Sequence, residues 1–291
     1  MRRIAFPAAF LLFLSLAAGI FAPARAQEAT PMGGALTGYP KLSVTITDAT
    51  YELDSTTVPA GWIILSVKNG TEEETGAAVL GPPPGMTGDQ LEQMASTPEP
   101  NDGFPQFLYQ AVVAGGPSGI QPGETLEAII NVPAGDWAVF GEGNQQASRF
   151  TSVDGPDSVT TEPTATATID TGDFYFGGLD SGFPAGPQLV KITNSGKQPH
   201  MIVMGKGPDD MTMDQVMAIF SQPENATPAP GGLSFSDLTF VPGVTLISSA
   251  ETMYMPMNLT PGTYLALCFV TDPATGAPHA MEGMATTFNV S

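Results

Sequence analysis

The sequence predicts an all-β protein made of two tandem antiparallel β-sandwiches, each carrying one short inserted helix. Three observations predict it. Glycine and proline number 33 and 28 of 291 residues, while lysine and arginine total nine, which suits strands joined by many turns. Apolar and polar residues alternate along short runs, the period of a half-buried strand. The chain also repeats itself at a nearly constant offset.

The repeat is legible without gaps over long stretches. Val58-Pro59-Ala60-Gly61 returns as Phe183-Pro184-Ala185-Gly186, Asn69 as Asn194, and Met86-Thr87-Gly88-Asp89-Gln90 as Met211-Thr212-Met213-Asp214-Gln215, all 125 residues on. Glu124-Thr125 returns as Glu251-Thr252, and Pro133 to Trp137 as Thr260 to Tyr264, at an offset of 127.

Residues 1–26 read as a secretory signal peptide: Arg2 and Arg3, an apolar run from Ile4 to Phe21, then Ala24-Arg25-Ala26 as a small-residue cleavage site. Residues 27–40 read as a disordered tail. Lys41 to Thr47 alternates and opens the first domain, 41–153, with Trp62 to Val67 and Thr125 to Val132 as further strands. Thr87 and Gln90 have the capping-box spacing before Leu91-Glu92-Gln93-Met94, and Pro98 and Pro100 should stop that helix. Residues 154–163, rich in small, acidic and turn residues, read as a linker. The second domain, 164–291, mirrors the first, with strands at Gln188 to Thr193 and Met253 to Leu259. A second capping box, Thr212 and Gln215, precedes a helix stopped by Pro223. Tyr264 to Val270 is apolar on both faces, as in a central buried strand.

Charge narrows the function. The chain carries a net −20, and loss of the signal would leave six basic against 29 acidic residues, a net −23. Such acidity gives no electrostatic footprint for nucleic acid; it reads as the solubility of an exported protein, or as a docking face for a basic redox partner. No stretch after the signal is long and apolar enough to span a bilayer. The expected location is the periplasm or the secreted fraction. One cysteine excludes an internal disulfide, so stability must come from burial.

That cysteine and the only two histidines all lie in the second repeat. Cys268 ends Gly262-Thr263-Tyr264-Leu265-Ala266-Leu267-Cys268. His279 opens His279-Ala280-Met281-Glu282-Gly283-Met284, and His200 ends Asn194-Ser195-Gly196-Lys197-Gln198-Pro199-His200. A thiolate, two imidazoles and a weak thioether form a blue-copper electron-transfer set. Taken singly, Cys268 reads as a small buried hydrophobe, the histidines as surface or loop residues and the methionines as core filling.

These segments resemble the cupredoxins, the small blue-copper proteins, over residues 164–291, with a degenerate echo over 41–153. The resemblance rests on Gly262-x-Tyr264-x-x-x-Cys268, His279-x-x-x-Gly283-Met284 and Asn194-x-Gly196-x-x-Pro199-His200. It implies two cupredoxin-like Greek-key sandwiches, with one type 1 copper held by His200, Cys268, His279 and Met284. The role it implies is electron transfer, with no enzymatic activity, to a redox partner protein. A histidine near the surface would be the electron exit. Two positions depart from the family's pattern. Ten residues separate Cys268 from His279, where small members have only a few, and Met201 stands where an asparagine usually ties the ligand loops together.

Two other readings compete. His200-Met201 and His279-x-Met281 resemble the His-Met pairs of periplasmic Cu(I) chaperones, with Met201 and Met281 as soft donors. A metal-free cupredoxin-like binding module would keep the residues without the metal. The first domain offers no comparable set, since Thr75 and Gly141 stand opposite His200 and Cys268. Two histidines cannot supply a further three-histidine centre. There is no His-Glu-x-x-His and no Gly-x-Ser-x-Gly.

Overall fold

A computed structural model describes residues 36–95, 104–141, 146–221 and 232–291. The expected signal peptide and the helix-stopping prolines Pro98, Pro100 and Pro223 lie outside the described residues.

The first unit comprises β1 (Lys41–Ile46), β2 (Tyr51–Leu53), β3 (Thr57–Pro59), β4 (Gly61–Asn69), β5 (Ala77–Gly81), helix α1 (Gly88–Ala95), β6 (Val112–Gly115), β7 (Pro117–Ser118), β8 (Thr125–Val132), β9 (Gly135–Gly141) and β10 (Ser148–Val153). The second comprises β11 (Ala167–Gly172), β12 (Tyr175–Gly177), β13 (Gly186–Asn194), β14 (His200–Lys206), helix α2 (Met213–Ser221), β15 (Thr239–Ile247), β16 (Thr252–Leu259), β17 (Gly262–Leu267) and β18 (Ala285–Val290). Alternation does what it should in β1, where Leu42, Val44 and Ile46 are buried and the residues between them are not.

Both helices start where their capping boxes put them. The Gln90 and Gln215 side chains accept the Thr87 and Thr212 amides at 2.8 and 2.9 Å, and the threonine hydroxyls accept the glutamine amides at 3.3 Å.

Three sheets are present among the described residues. Each unit has an outer sheet of its own, β3-β10-β9-β5-β6 in the first and β18-β17-β14-β15 in the second, the latter extended by β7 from the first unit. The two inner sheets are fused into one of eight strands, β12-β11-β13-β16-β8-β4-β1-β2. The junction is antiparallel, Met253 opposite Ile130 and Tyr254 opposite Ile129. β8 and β16 would each be an open edge alone, and pairing satisfies their backbone groups. Two features depart from purely antiparallel tandem sandwiches. The units share a sheet, and β1–β4, β11–β13 and β3–β10 pair parallel. The parallel pairs follow from connectivity, because β2 and β3 intervene between β1 and β4 and give the chain length to cross over.

The main core runs through both units, from Leu42 and Ile63 to Ile202 and Met284. A second cluster seats α2 residues Val216 and Ile219 on Leu265 and Leu267. A third, Trp62, Ile64, Ile129, Leu189 and Tyr254, lies on the shared sheet, with Leu36, Tyr39 and Ala165 packed against it. Residues 36–40, expected within a disordered tail, are therefore packed: the Ile64 amide donates to the Pro40 carbonyl at 2.7 Å. Within the expected linker, the Trp62 amide donates to the Val159 carbonyl at 2.7 Å, and Glu162 accepts Lys191 Nζ at 2.6 Å and the Tyr254 hydroxyl.

Candidate metal centre

His200 is placed by a buried asparagine. Asn194, fully buried at the end of β13, donates from its side-chain amide to the Gln198 carbonyl at 2.8 Å and the Ile247 carbonyl at 3.0 Å, and accepts the Gly196 amide at 2.9 Å. The loop folds back and β14 begins at His200, opposite Ile247. Asn69 repeats the device in the first unit, donating to Glu73 and Ile120 carbonyls and accepting the Thr71 amide.

Cys268 follows β17, whose residues Thr263 to Leu267 are all buried. Its amide donates to the Met284 carbonyl at 3.1 Å, and its carbonyl accepts the Ala280 amide at 2.8 Å. His279 begins a 3-10 turn, His279–Glu282. Gly283 closes that turn at φ 119, a conformation that favours glycine, and the Met284 amide returns to the His279 carbonyl at 2.9 Å.

The long separation between Cys268 and His279 does not part them. The His279 amide donates to the Val270 carbonyl at 2.8 Å, and Thr271 and Pro278 form a bridge. Residues 271–278 are a side excursion with its own bonds, Asp272 amide to Ala277 carbonyl and Gly276 amide to Asp272 carbonyl, each 2.8 Å. The base of the loop is therefore short, whatever its contour length.

The three side chains converge. His200 Nδ1 and His279 Nδ1 lie 3.1 Å apart, and Cys268 Sγ is 3.8 and 3.5 Å from them. All three residues are fully buried, and among the described residues this is the one group of three or more such donors that could hold an ion. The outer nitrogens settle the tautomers. His200 Nε2 faces Asp173 Oδ1 at 3.2 Å, a carboxylate that can only accept. His279 Nε2 faces Gln198 Oε1 at 3.0 Å, and the same amide's nitrogen donates to Asp272 Oδ1 at 3.2 Å, which fixes its orientation. Both Nε2 atoms therefore carry the protons, and both Nδ1 atoms turn lone pairs toward each other and the sulfur. The thiol proton can meet the His279 Nδ1 at 3.5 Å, and displacing it would leave three lone pairs facing a cation. Trigonal ligation with metal–nitrogen bonds of about 2.0 Å and a metal–sulfur bond of about 2.3 Å would space nitrogens by about 3.5 Å and nitrogen from sulfur by about 3.7 Å. The set fits a first-row ion, and its softness fits copper.

Burial holds all three donors in their neutral forms. Burial, then the neighbouring His200, pushes the His279 imidazole down to about 4, against the pull of Asp272 and Asp173. Burial also lowers His200, opposed by Asp173. Burial pushes the Cys268 thiol up to about 12, against backbone donors at Met201 and Val270. Burial alone would raise Asp173, but the amides of Gln198 and Lys197 and the His200 imidazole hold it below the usual carboxylate range.

Met284 is fully buried beside Cys268 in backbone register. The alternative donors sit otherwise. Met201 packs against the main core while its amide lies 3.5 Å from Cys268 Sγ, and the Met281 side chain is 45% exposed. The exit expected at a surface histidine is corrected: His279 has no exposed area, and Phe174 stands edge-on to its ring at 5.2 Å. Three contributors escaped the sequence reading. Gln198, two residues before His200, ties the ligand loops together, the task expected of the missing asparagine. Asp173 and Phe174 come from the β11–β12 turn, and only Gln198 lay inside a recognisable segment.

The first unit has no room for this chemistry. A Cβ at Gly141, opposite Cys268, would lie 2.2 Å from the Gly76 carbonyl oxygen and 2.5 Å from the Tyr51 hydroxyl.

The buried donor set fits a single type 1 copper. No family model matches the chain, and no curated protein sequence matches it. Among solved structures, a dithionite-reduced auracyanin from the photosynthetic bacterium Roseiflexus castenholzii is 23% identical, covering 44% of this chain and 99% of that one, at a TM-score of 0.28. Auracyanin B is 19% identical over 45% and 93%, at 0.26. A copper-containing nitrite reductase from Thermus scotoductus is 10% identical over 87% and 61%, at 0.24. The metal reading is carried by the chain's own donors.

Proposed function

We propose that this chain is an exported electron carrier whose second unit holds one type 1 copper through His200, Cys268 and His279, with Met284 as the weak axial donor. The observation that carries the reading is the convergence of two imidazole Nδ1 atoms on a buried cysteine sulfur. Bound copper supplies a one-electron couple. The chain supplies rigidity: the loop base between Cys268 and Met284 and the Asn194 brace hold the donors in one arrangement for both oxidation states. The Met201 amide, 3.5 Å from Sγ, tempers thiolate charge and so tunes the couple. Loading must displace the thiol proton, which makes uptake pH-dependent. With only two histidines, both in this cluster, the chain has no imidazole left for a second, catalytic copper. The acidity suits docking to a basic redox protein in the periplasm or outside the cell.

The test is Cu(II) titration followed by visible absorbance. An intense thiolate-to-copper band that saturates at one equivalent, disappears in Cys268→Ser, and bleaches and returns through a reduction cycle is the expected result. Stoichiometric Cu(II) binding without the band overturns the reading. Cu(I) binding that survives Cys268→Ser but not Met281→Ala would assign a copper-delivery role instead.

A further inference from the structure

The first unit reaches the ligand loop of the second through one side chain. Tyr109, at the end of the 3-10 turn Gln106–Tyr109, donates its hydroxyl to the carbonyl of Thr271, three residues beyond Cys268. Its ring is braced edge-on by Phe104, with centroids 5.3 Å apart and planes at 77°. Asp272 and Cys268 lie near enough for their charges to oppose ionisation of the phenol, whose burial already pushes it up to about 12. The segment behind Tyr109 is anchored independently. Ser248, following β15, donates to the Ala111 carbonyl at 3.0 Å and accepts the Val113 amide at 2.9 Å. That anchor adjoins Ile247, whose carbonyl holds Asn194 and the His200 loop.

The long ligand loop of the second unit thus meets the first unit at this contact. From the start of β17 to the start of β18 the chain runs ten residues longer than from the start of β9 to the start of β10, since the offset grows from 127 at Gly262 to 137 at Ala285. Thr271 opens that excess, and Tyr109 sits in the first unit's segment between β5 and β8. We propose that Tyr109 is a positioning residue for the metal centre, by which the metal-free first unit clamps the long ligand loop of the second. The part that reaches the metal rests on the copper reading above; the clamp itself does not.

The experiment is residue-resolved amide exchange on the metal-free full chain, comparing wild type with Tyr109→Phe and Tyr39→Phe. The second variant deletes another tyrosine-to-carbonyl bond, to Thr161, remote in sequence from the loop. Loss of one hydrogen bond predicts about fivefold faster exchange at Asp272, Gly276 and His279 in Tyr109→Phe, with Tyr39→Phe like wild type at the loop. Unchanged loop exchange in Tyr109→Phe, or an equal rise at the loop in Tyr39→Phe, overturns the clamp. In copper-loaded protein the thiolate-to-copper band should shift in Tyr109→Phe and not in Tyr39→Phe. A band that stays in place while loop exchange rises overturns the link to the metal. A wild-type protein that forms no band refutes the copper reading and leaves exchange to decide the clamp.

Discussion

Asn69 and Asn194 offer an experiment with its own control, because the same buried brace occurs in a unit with the donor cluster and in one without. Asn194→Ala deletes two donated bonds of 2.8 and 3.0 Å and one accepted bond of 2.9 Å; Asn69→Ala deletes donated bonds of 2.7 and 2.8 Å and two accepted ones, 2.8 Å from the Thr71 amide and 2.7 Å from its hydroxyl. The bonds to Ile247 and Ile120 are buried, so losing each costs roughly 1–3 kcal/mol, toward the lower end at Ile120, whose carbonyl keeps the Thr75 amide at 3.1 Å, while the more exposed partners cost about 0.5–1 kcal/mol each. Both variants should therefore lose about 3 kcal/mol in urea unfolding, followed by the fluorescence of the largely buried Trp62 and Trp137. Copper separates them. Asn194→Ala frees the loop that delivers His200 and should weaken Cu(II) binding at least about tenfold, or about 1.4 kcal/mol. Asn69→Ala should bind copper as wild type does, despite equal destabilisation. Equal loss of copper in both variants would refute the argument, as would an Asn194→Ala protein that binds copper normally.

Further outcomes follow from the same geometry. The metal-free protein should lose stability as pH falls from about 6.5 to about 4, because His279 titrates near 4 when folded and near 6.5 when unfolded, so the unfolded chain binds more protons in that window. At about 1.4 kcal/mol per pH unit the upper bound is about 3 kcal/mol. Urea midpoints measured across the window should fall less steeply in His279→Gln, and identical slopes would contradict the assignment. Gln198→Leu removes the acceptor that fixes the His279 tautomer and should weaken copper binding roughly 10- to 100-fold in competition with a chelator. Wild-type affinity in that variant would show that Gln198 does not orient the ring.

Much of this molecule was legible because local chemistry and global fold agree. The threonine–glutamine boxes set both helix starts, the apolar run to Cys268 marked a buried strand, and the repeat paired Asn69 with Asn194 before any contact was known. What escaped depends on contacts between distant residues. The β8–β16 junction involves only two register pairs and leaves no local pattern. Loop length overstated the distance from Cys268 to His279, because one bond from His279 to Val270 closes the base. Asp173 and Phe174 read as ordinary turn residues until the fold carries β11 and β12 to the cluster. The burial of His279 was invisible for the same reason, since its cover comes from Phe174 and Gln198.

The fused sheet has a consequence for how the protein is made. Met253 and Ile130 are 123 residues apart, so the first half emerges with β8 complete and no partner strand yet in existence. Until β16 arrives, that edge can accept any matching strand, including the β8 or β16 of another copy. Contacts of such long range form slowly. The half-made chain is therefore the stage most exposed to misassembly, and an isolated half should pair with itself or aggregate. Cutting the protein at its internal repeat, the obvious place by sequence, would open the β8–β16 and β7–β15 seams together.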